Sequence, residues 1–328
     1  MLDIKIIKTT EPKAKPAPGQ KLGFGKIFTD HMFIMNYTEG KGWHDARIEP
    51  YHNFSIDPAA TVLHYGQEIF EGLKAYRRDD GHIQLFRPEE NAMRMNNSAE
   101  RVCMPTLDVD YQVKAMKMLV EIEKDWVPHK SGTSLYLRPT MIAHGAELGV
   151  HPAHKYLYYI ICSPAGSYYK NGMAPIKIHI EDSYVRAVKG GTGAAKTGGN
   201  YSASLKAAYE ASKRGFDQVL WLDGKQNKYV EEVGAMNMMF IIDHKLYTAP
   251  TGGSILPGIT RKSVLRLAED MGIEVFERPV SVMELYEAYS KGTLQEAFGT
   301  GTAAVISPVG LMEYRGDIIK LSDGEIGP

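Results

Sequence analysis

Short apolar segments joined by a few turn-forming residues dominate this chain, and they decide what it can fold into. Ile69–Tyr76 and His82–Phe86 flank Arg77-Arg78-Asp79-Asp80-Gly81, and Gln218–Leu222 and Tyr229–Val233 flank a connection carrying Asp223-Gly224-Lys225. Asn237–Asp243 and Leu246–Ala249 are closer still. Such connections close antiparallel hairpins, whereas a parallel crossover needs about a dozen residues or more. Phe24–Tyr37, Arg47–Ile56, Ser134–Ala143, Lys155–Ser163, Ile176–Ile180, Gln295–Gly299 and Ala303–Val309 read as further strands. Helical spacing is dispersed among them, over Pro88–Val102, Tyr111–Val127, Ala203–Arg214 and Arg261–Met271, the last capped by Thr260. Ser281 and Glu284 form a capping box for a helix running to Ser290. The order is not a regular βαβα alternation. The expectation is therefore an α+β protein with mixed, mostly antiparallel sheets and flanking helices, not a doubly wound parallel sheet.

A length of 328 residues suggests about two domains. Pro164–Pro175, with Ala-Gly-Ser and Asn-Gly, is the expected connection. It divides the chain into an N-terminal domain over 1–168, a loop over 169–175 and a C-terminal domain over 176–328. Hydrophobic residues at 44% exclude global disorder. A formal charge of −1 excludes bulk attraction to nucleic acid or an anionic membrane. The longest apolar run, Tyr156–Cys162, has seven residues, against about 20 for a membrane-spanning helix. Residues 1–21 hold no apolar leader, and Cys103 and Cys162 stand alone, so a soluble protein of the reducing cytoplasm is expected. HExxH and EF-hand spacings are absent, so no metal is expected in the chemistry.

The most unusual segment is Gly190-Gly-Thr-Gly-Ala-Ala-Lys196-Thr-Gly-Gly-Asn200. As a P-loop it fits poorly and leaves a nucleotide-binding protein only as a remote alternative: Ala195 stands where the second glycine belongs, and Gly198-Gly199 follow where a helix should be under way. A flexible loop with a solvated lysine is one reading. A nucleophilic amine able to form an imine with a carbonyl is the other. Pyridoxal phosphate is the commonest partner of such an amine. It also needs an acid for its ring nitrogen, donors for its phosphate and groups for the substrate carboxylate. Glu231-Glu232 at a strand end supplies an acid, or is merely an exposed pair. Leu256-Pro-Gly-Ile-Thr-Arg261 opens a helix whose first amides suit a phosphate, or is only a well-capped start. Gly299-Thr-Gly-Thr-Ala-Ala304 is an amide-rich turn or a bulge.

Taken together, Lys196-Thr-Gly-Gly-Asn-Tyr201, Glu232-Val-Gly-Ala-Met-Asn237, Leu256-Pro-Gly-Ile-Thr-Arg261 and Phe298-Gly-Thr-Gly-Thr-Ala303 resemble the branched-chain amino acid aminotransferases, fold-type IV pyridoxal phosphate enzymes. Phe24-Gly-Lys-Ile-Phe-Thr-Asp-His31, Leu63-His-Tyr-Gly-Gln67, Phe70-Glu-Gly-Leu-Lys74, Leu85-Phe-Arg-Pro88 and Tyr136-Leu-Arg-Pro139 extend the resemblance over about residues 23–310. The resemblance implies that Lys196 bonds the cofactor and carries the substrate Cα proton. It implies that Glu232 holds the ring nitrogen protonated and Tyr201 contacts the 3′-oxygen. Arg94, Ile259, Thr260 and Thr300 would hold the phosphate. Phe28, Tyr65, Tyr136, Tyr168 and Ala235 would line an apolar substrate pocket, with Arg138 at its edge to meet glutamate. The Thr302-Ala303 turn would take the α-carboxylate. Phe70 would come from a partner subunit, which implies a homodimer with its active site near the interface. The implied reaction moves the amino group of L-leucine, L-isoleucine or L-valine to 2-oxoglutarate by a ping-pong mechanism.

Two departures stand out. Animal members carry a redox C-x-x-C where this chain reads Ala304-Val-Ile-Ser307, which excludes thiol regulation there. The chain also stops at Pro328, where relatives usually continue with a helix. The nearest rivals are a D-amino acid aminotransferase or an aminodeoxychorismate lyase of the same fold type. Tyr136-Leu-Arg138-Pro and Tyr65-Gly-Gln67 argue against both.

Overall fold

The computed structural model describes residues 2–17, 19–166 and 174–327. Tyr168 and most of the expected 169–175 loop lie outside the described residues. The chain divides into two compact units: Met1–Lys170 with Ala195–Gly198, and Asn171–Ala194 with Gly199–Pro328. The lysine-bearing residues 195–198 thus group with the first unit.

In the first unit, β1 (Lys5–Ile6), β2 (His31–Thr38), β3 (Gly42–Pro50), β4 (Glu68–Phe70), β5 (Leu73–Arg77), β6 (Ile83–Leu85), β7 (Ser134–Ala143) and β8 (Lys155–Ala165) form one sheet. Its order is β1-β3-β2-β8-β7-β5-β6, with β4 also on β7. Every pairing is antiparallel except β1 with β3. Side-chain alternation along β2 sorts the core onto two faces. Phe33 and Met35 pack with Met95, Ala99, Met116 and Leu119 of α1 (Pro88–Arg101) and α2 (Val109–Ile122), the first two long helices, and Met32 and Ile34 face Tyr51, Phe54 and Val62. Pro88 occupies the first turn of α1, where its missing N–H costs nothing, and the Asp108 side chain caps α2 by accepting from the Tyr111 amide at 2.8 Å. The second helix is shorter than expected: it ends at Ile122 and a 3-10 turn, Lys124–Trp126, follows.

The second unit is built on β9 (Ile176–Glu181), β10 (Gln218–Leu222), β11 (Val230–Val233), β12 (Met236–Ile242), β13 (Lys245–Thr248), β14 (Val275–Glu277), β15 (Leu294–Gly301), β16 (Val305–Tyr314) and β17 (Asp317–Lys320). β11 pairs with both β10 and β12, so the ring β11-β10-β9-β16-β15-β12 closes on itself. Closure removes the open edges that a flat sheet would leave. Parallel pairing is confined to β9 with its two neighbours and to β13 with β14; the rest is antiparallel.

Helices cover this sheet through small and branched side chains. Ala207 and Ala211 of Leu205–Lys213 pack on Val219 and Trp221, and Leu265 and Ala268 of Ile259–Asp270 pack on Met239 and Leu246. The helix expected over 203–214 is Leu205–Lys213, and a separate short helical turn, Gly198–Ser202, precedes it. Thr260 does not cap its helix. Gly258 occupies the cap in extended geometry and accepts from the Lys262 amide at 3.0 Å, so the first turn starts at Ile259. Ser281 does cap Val282–Ser290, accepting from the Glu284 amide at 3.1 Å, but the Glu284 carboxylate is held by Arg278 at 2.6 Å.

Candidate active site

Lys196 is fixed on the first unit. Its amide donates to Ser98 Oγ at 2.8 Å, and its carbonyl accepts from the Phe70 amide at 2.9 Å. The next residue, Thr197, donates its hydroxyl to the Glu68 carbonyl at 2.8 Å, and the Gly198 amide donates to the Glu68 carboxylate. These bonds exclude the reading of a loosely solvated loop. The half-buried Lys196 amine lies 4.8 Å from the centre of the Phe70 ring. Arg138 stacks its guanidinium 4.7 Å from the same ring and donates from Nη2 to the Tyr136 hydroxyl at 3.1 Å. Arg138 Nε is buried with no hydrogen-bond partner among the described residues. Lys196, Phe70, Tyr136 and Arg138 are therefore brought together. The expectation that Phe70 comes from a partner subunit is corrected: a main-chain hydrogen bond ties it beside Lys196 of its own chain. Gly72 makes room for the cluster, since a Cβ there would meet the Tyr136 hydroxyl at 2.0 Å.

A buried ion pair lies among the same elements. Arg94 forks onto Glu71, with Nε to Oε1 at 2.7 Å and Nη2 to Oε2 at 2.9 Å. Asn91 Nδ2 and the Gly72 amide also donate to Oε2, at 2.7 and 3.1 Å. Burial opposes the charge on Glu71, but Arg94, the Lys196 amine and the Asn91 donor outweigh it and hold the carboxyl below its ordinary range. Glu68 goes the other way: burial pushes it up, against the Gly198 amide and Arg138. Lys74, opposite Tyr136 across β5 and β7, is buried and pushed down to about 8 by desolvation. Sequence reasoning missed Glu68 and Glu71 as parts of the site and gave Lys74 no role.

Other expected substrate residues of this unit are less enclosed. Phe28 is half-buried and stacks on Tyr51, ring centres 5.3 Å apart. Tyr65 is 44% exposed, and its hydroxyl donates to the Leu148 carbonyl.

In the second unit, strand register assembles the acid. Glu232 on β11 is opposite Asn237 on β12, and Asn237 is opposite Thr300 on β15. Cross-strand partners share a face, so the three form one row. The turn of this hairpin is Gly234-Ala235, with Gly234 at φ +56°, a conformation that favours glycine. Glu231 and Glu232 are both buried, which overturns the reading of an exposed acidic pair. Glu232 Oε1 accepts from the Leu256 amide at 2.9 Å and from Asn237 Nδ2 at 3.2 Å, and Arg186 Nε lies 2.9 Å from Oε2. Asn237 Nδ2 also donates to the Leu256 carbonyl at 2.9 Å, which fixes the segment leading to Ile259 and Thr260. The helix they open has no side-chain cap, and helix geometry leaves its first amides without an intrahelical acceptor. Thr300 Oγ1 is buried with no hydrogen-bond partner among the described residues. Arg186 and Asn237 are the further residues of this site that sequence reasoning left without a role.

Tyr201 is half-buried, Ala235 is exposed, and Thr302 and Ala303 form a half-buried turn. The turn ends on Val305 at φ +61°, unusual for a β-branched residue and frequent at ligand-binding turns.

These groups fit pyridoxal phosphate. A buried carboxylate suits a protonated ring nitrogen, and an uncapped helix start with an unpartnered hydroxyl in the same unit suits a phosphate. The family described as Amino-transferase class IV matches residues 68–311. Branched-chain-amino-acid aminotransferase 2 of Bacillus subtilis is 53% identical over 324 residues, covering 99% of this chain and 89% of its own. A probable branched-chain-amino-acid aminotransferase of Streptomyces coelicolor is 51% identical, covering 93% and 84%. Among solved structures, the Escherichia coli branched-chain amino acid aminotransferase superposes with a TM-score of 0.75 at 29% identity, covering 90% of each chain. The T.th. branched-chain amino acid aminotransferase, solved with N-(5′-phosphopyridoxyl)-L-glutamate, gives 0.69 at 28% identity, covering 90% and 89%. The chain belongs to the pyridoxal phosphate-dependent class IV aminotransferases, with branched-chain-amino-acid aminotransferases as its relatives over nearly its whole length.

Proposed function

We propose that this chain transfers the α-amino group of L-leucine, L-isoleucine or L-valine to 2-oxoglutarate, giving a branched 2-oxo acid and L-glutamate. The observation that carries the reading is Lys196, pinned through both its amide and its carbonyl, with its amine beside the Phe70 ring. Relatives named for branched-chain amino acids support the donor, and the phosphopyridoxyl-glutamate complex of the T.th. enzyme supports the acceptor.

Pyridoxal phosphate, when bound, supplies a carbonyl for the amino group and a ring that accepts the electron pair of the broken Cα–H bond. Lys196 is the base that takes this proton and the acid that returns it, its main chain held by hydrogen bonds and its amine beside the Phe70 ring. Glu232 keeps the ring nitrogen protonated, while Asn237 and the Leu256 amide orient its carboxylate. Ile259 and Thr260 amides, Thr300 Oγ1, Tyr201 and Arg94 hold the phosphate and the 3′-oxygen. Phe28, Tyr65, Phe70, Tyr136 and Ala235 accept the apolar side chain, and Arg138, with its unpartnered Nε, meets the glutamate carboxylate. The Thr302-Ala303 turn receives the α-carboxylate.

The domain boundaries at 168/169 and 175/176 belong to the same reading. The working form is a homodimer: Leu63, Tyr65, Leu148 and Val150 are exposed apolar side chains of the first unit that a second copy would cover. Two free cysteines suit the cytoplasm. No helix among the described residues is long and apolar enough to cross a membrane.

The test is the visible spectrum of the holoenzyme. L-leucine should convert the pyridoxal form to the pyridoxamine form, and 2-oxoglutarate should restore it. A spectrum that ignores L-leucine and answers D-alanine would replace the reading with a D-amino acid aminotransferase.

A further inference from the structure

Between β1 and β2, residues 9–15 lie on the first unit as a strap of irregular backbone. Pro12 and Pro16 bracket its end, and neither has an amide hydrogen to give to a strand ladder. Side chains hold the strap instead. The Thr9 amide donates to His31 Nε2 at 2.9 Å, and the Lys13 amide donates to Asp30 Oδ1 at 2.7 Å. Lys15 Nζ reaches Asp30 Oδ2 at 3.3 Å and lies 5.2 Å from the centre of the Trp126 ring.

These anchors form one buried cluster. Trp126 Nε1 donates to Asp30 Oδ2 at 2.9 Å, the Asp30 amide donates to Glu123 Oε2 at 3.1 Å, and His31 Nδ1 pairs with Glu123 Oε1. A buried carboxylate is costly unless its oxygens are satisfied, and the strap supplies two of the donors that Asp30 receives.

Lys13 carries this anchoring to two aromatic side chains. Its Nζ donates to the Thr29 carbonyl at 2.8 Å and to the Phe28 carbonyl at 3.3 Å, and it lies 4.6 Å from the centre of the Tyr51 ring. Phe28 precedes β2, and Tyr51 follows β3, the neighbouring strand. Their rings stack with an interplanar angle of 15°, and the Tyr51 amide donates to the Asp30 carbonyl at 2.9 Å. One ammonium thus touches both halves of the stack, Phe28 through its main chain and Tyr51 through its ring. Tyr51 shares a cluster with Ile161, the cross-strand partner of Arg138, so the stack lies on the sheet face that carries Arg138.

We propose that Lys13 is a positioning residue for the substrate pocket: it holds the Phe28–Tyr51 stack, and through it the wall that meets the apolar side chain of the amino donor. The inference rests on the functional reading above, in which Phe28 lines that pocket. A wall of this kind makes the same contact before and at the transition state, so Lys13 acts on binding and not on the proton transfer at Lys196. The distal carboxylate of 2-oxoglutarate is held by Arg138, so this substrate depends less on the wall.

The experiment follows each half-reaction of the holoenzyme by its spectrum, with L-leucine consuming the pyridoxal form and 2-oxoglutarate restoring it. Lys13→Met keeps an unbranched stem and removes the donor. It should raise the L-leucine concentration for half-maximal rate about fivefold, the size of one lost cation–ring contact, and leave the maximal rate within about twofold. The corresponding 2-oxoglutarate concentration should move by less than about twofold. Lys13→Arg, which keeps the charge and the donors, should restore the parental behaviour. In a Phe28→Ala background Lys13→Met should add nothing, because it acts through that ring. A parent that ignores L-leucine would overturn the functional reading and the positioning role with it. A parent that responds, with Lys13→Met unchanged toward L-leucine, would overturn the positioning role alone. So would equal shifts for both substrates, or the same loss in the Phe28→Ala background, since a merely stabilising contact behaves that way.

Discussion

Glu71 in the first unit and Glu232 in the second are both buried carboxylates beside an arginine, yet they are built differently. Glu71 is enclosed by the Arg94 fork, the Asn91 amide and the Gly72 amide, with the Lys196 amine adding its charge. Glu232 is oriented by a strand partner, Asn237, and a loop amide, Leu256, in a row that ends at the unpartnered Thr300 hydroxyl. The first arrangement anchors an arginine and leaves the acid no chemical latitude. The second aims an acid along a sheet face. A buried ion pair is thus not by itself a sign of chemistry; what else shares its face decides.

Four substitutions sharpen this contrast, from the largest effect down. Lys196→Ala should lower transamination by about 10⁴-fold or more, because nucleophile and proton carrier vanish together. Turnover near the parental rate would end the assignment. Glu71→Ala should cost about 3–5 kcal/mol in chemical denaturation, since it strands the Arg94 charge in the core. A loss under about 1 kcal/mol would show that Arg94 finds another partner.

Lys74→Met tests the first unit through pH. The folded amine titrates near 8, and the unfolded one near 10.5. The unfolded chain therefore binds more protons between these values, and parental stability climbs as pH rises through that window. Relative to the variant, the parent should gain up to about 3 kcal/mol from pH 8 to 10.5. A pH-independent difference would show that the amine is not held neutral. Glu232→Gln is the subtlest: kcat should fall about 100-fold with KM nearly unchanged, because the acid acts on charge that develops in the transition state. A change confined to KM would reassign Glu232 to the kind of anchoring that Glu71 performs.

Much of the fold was legible because its information is local. Hairpins announce themselves through turn residues, and Ser134–Ala143 is a strand with the bounds its apolar run predicts. Elements of two to five residues, such as Lys5–Ile6, Thr61–Tyr65 and Val275–Glu277, are too short to show a period. Ring closure through β11 and β12 was equally hidden, since it depends on which strands meet across the unit. The same split runs through the site. Lys196 and Glu232 stood out within their own motifs, whereas Glu71 meets Arg94 across 23 residues and Arg186 meets Glu232 across a longer interval of sequence. No spacing rule reaches that far. Thr260 misled because a threonine before an apolar run is a common cap, and Gly258 took the position through its backbone alone.

The Glu232–Asn237–Thr300 row also sets where this chain can tolerate insertions. One residue added to β12 beside Asn237 would turn every following side chain to the opposite face and separate the acid from the hydroxyl. The Asp243-His244 turn at the far end of β12 has both residues at positive φ, 49° and 61°, and carries none of that row. Length variation among functional descendants of this sequence should therefore collect at that turn and be absent between Glu232 and Asn237.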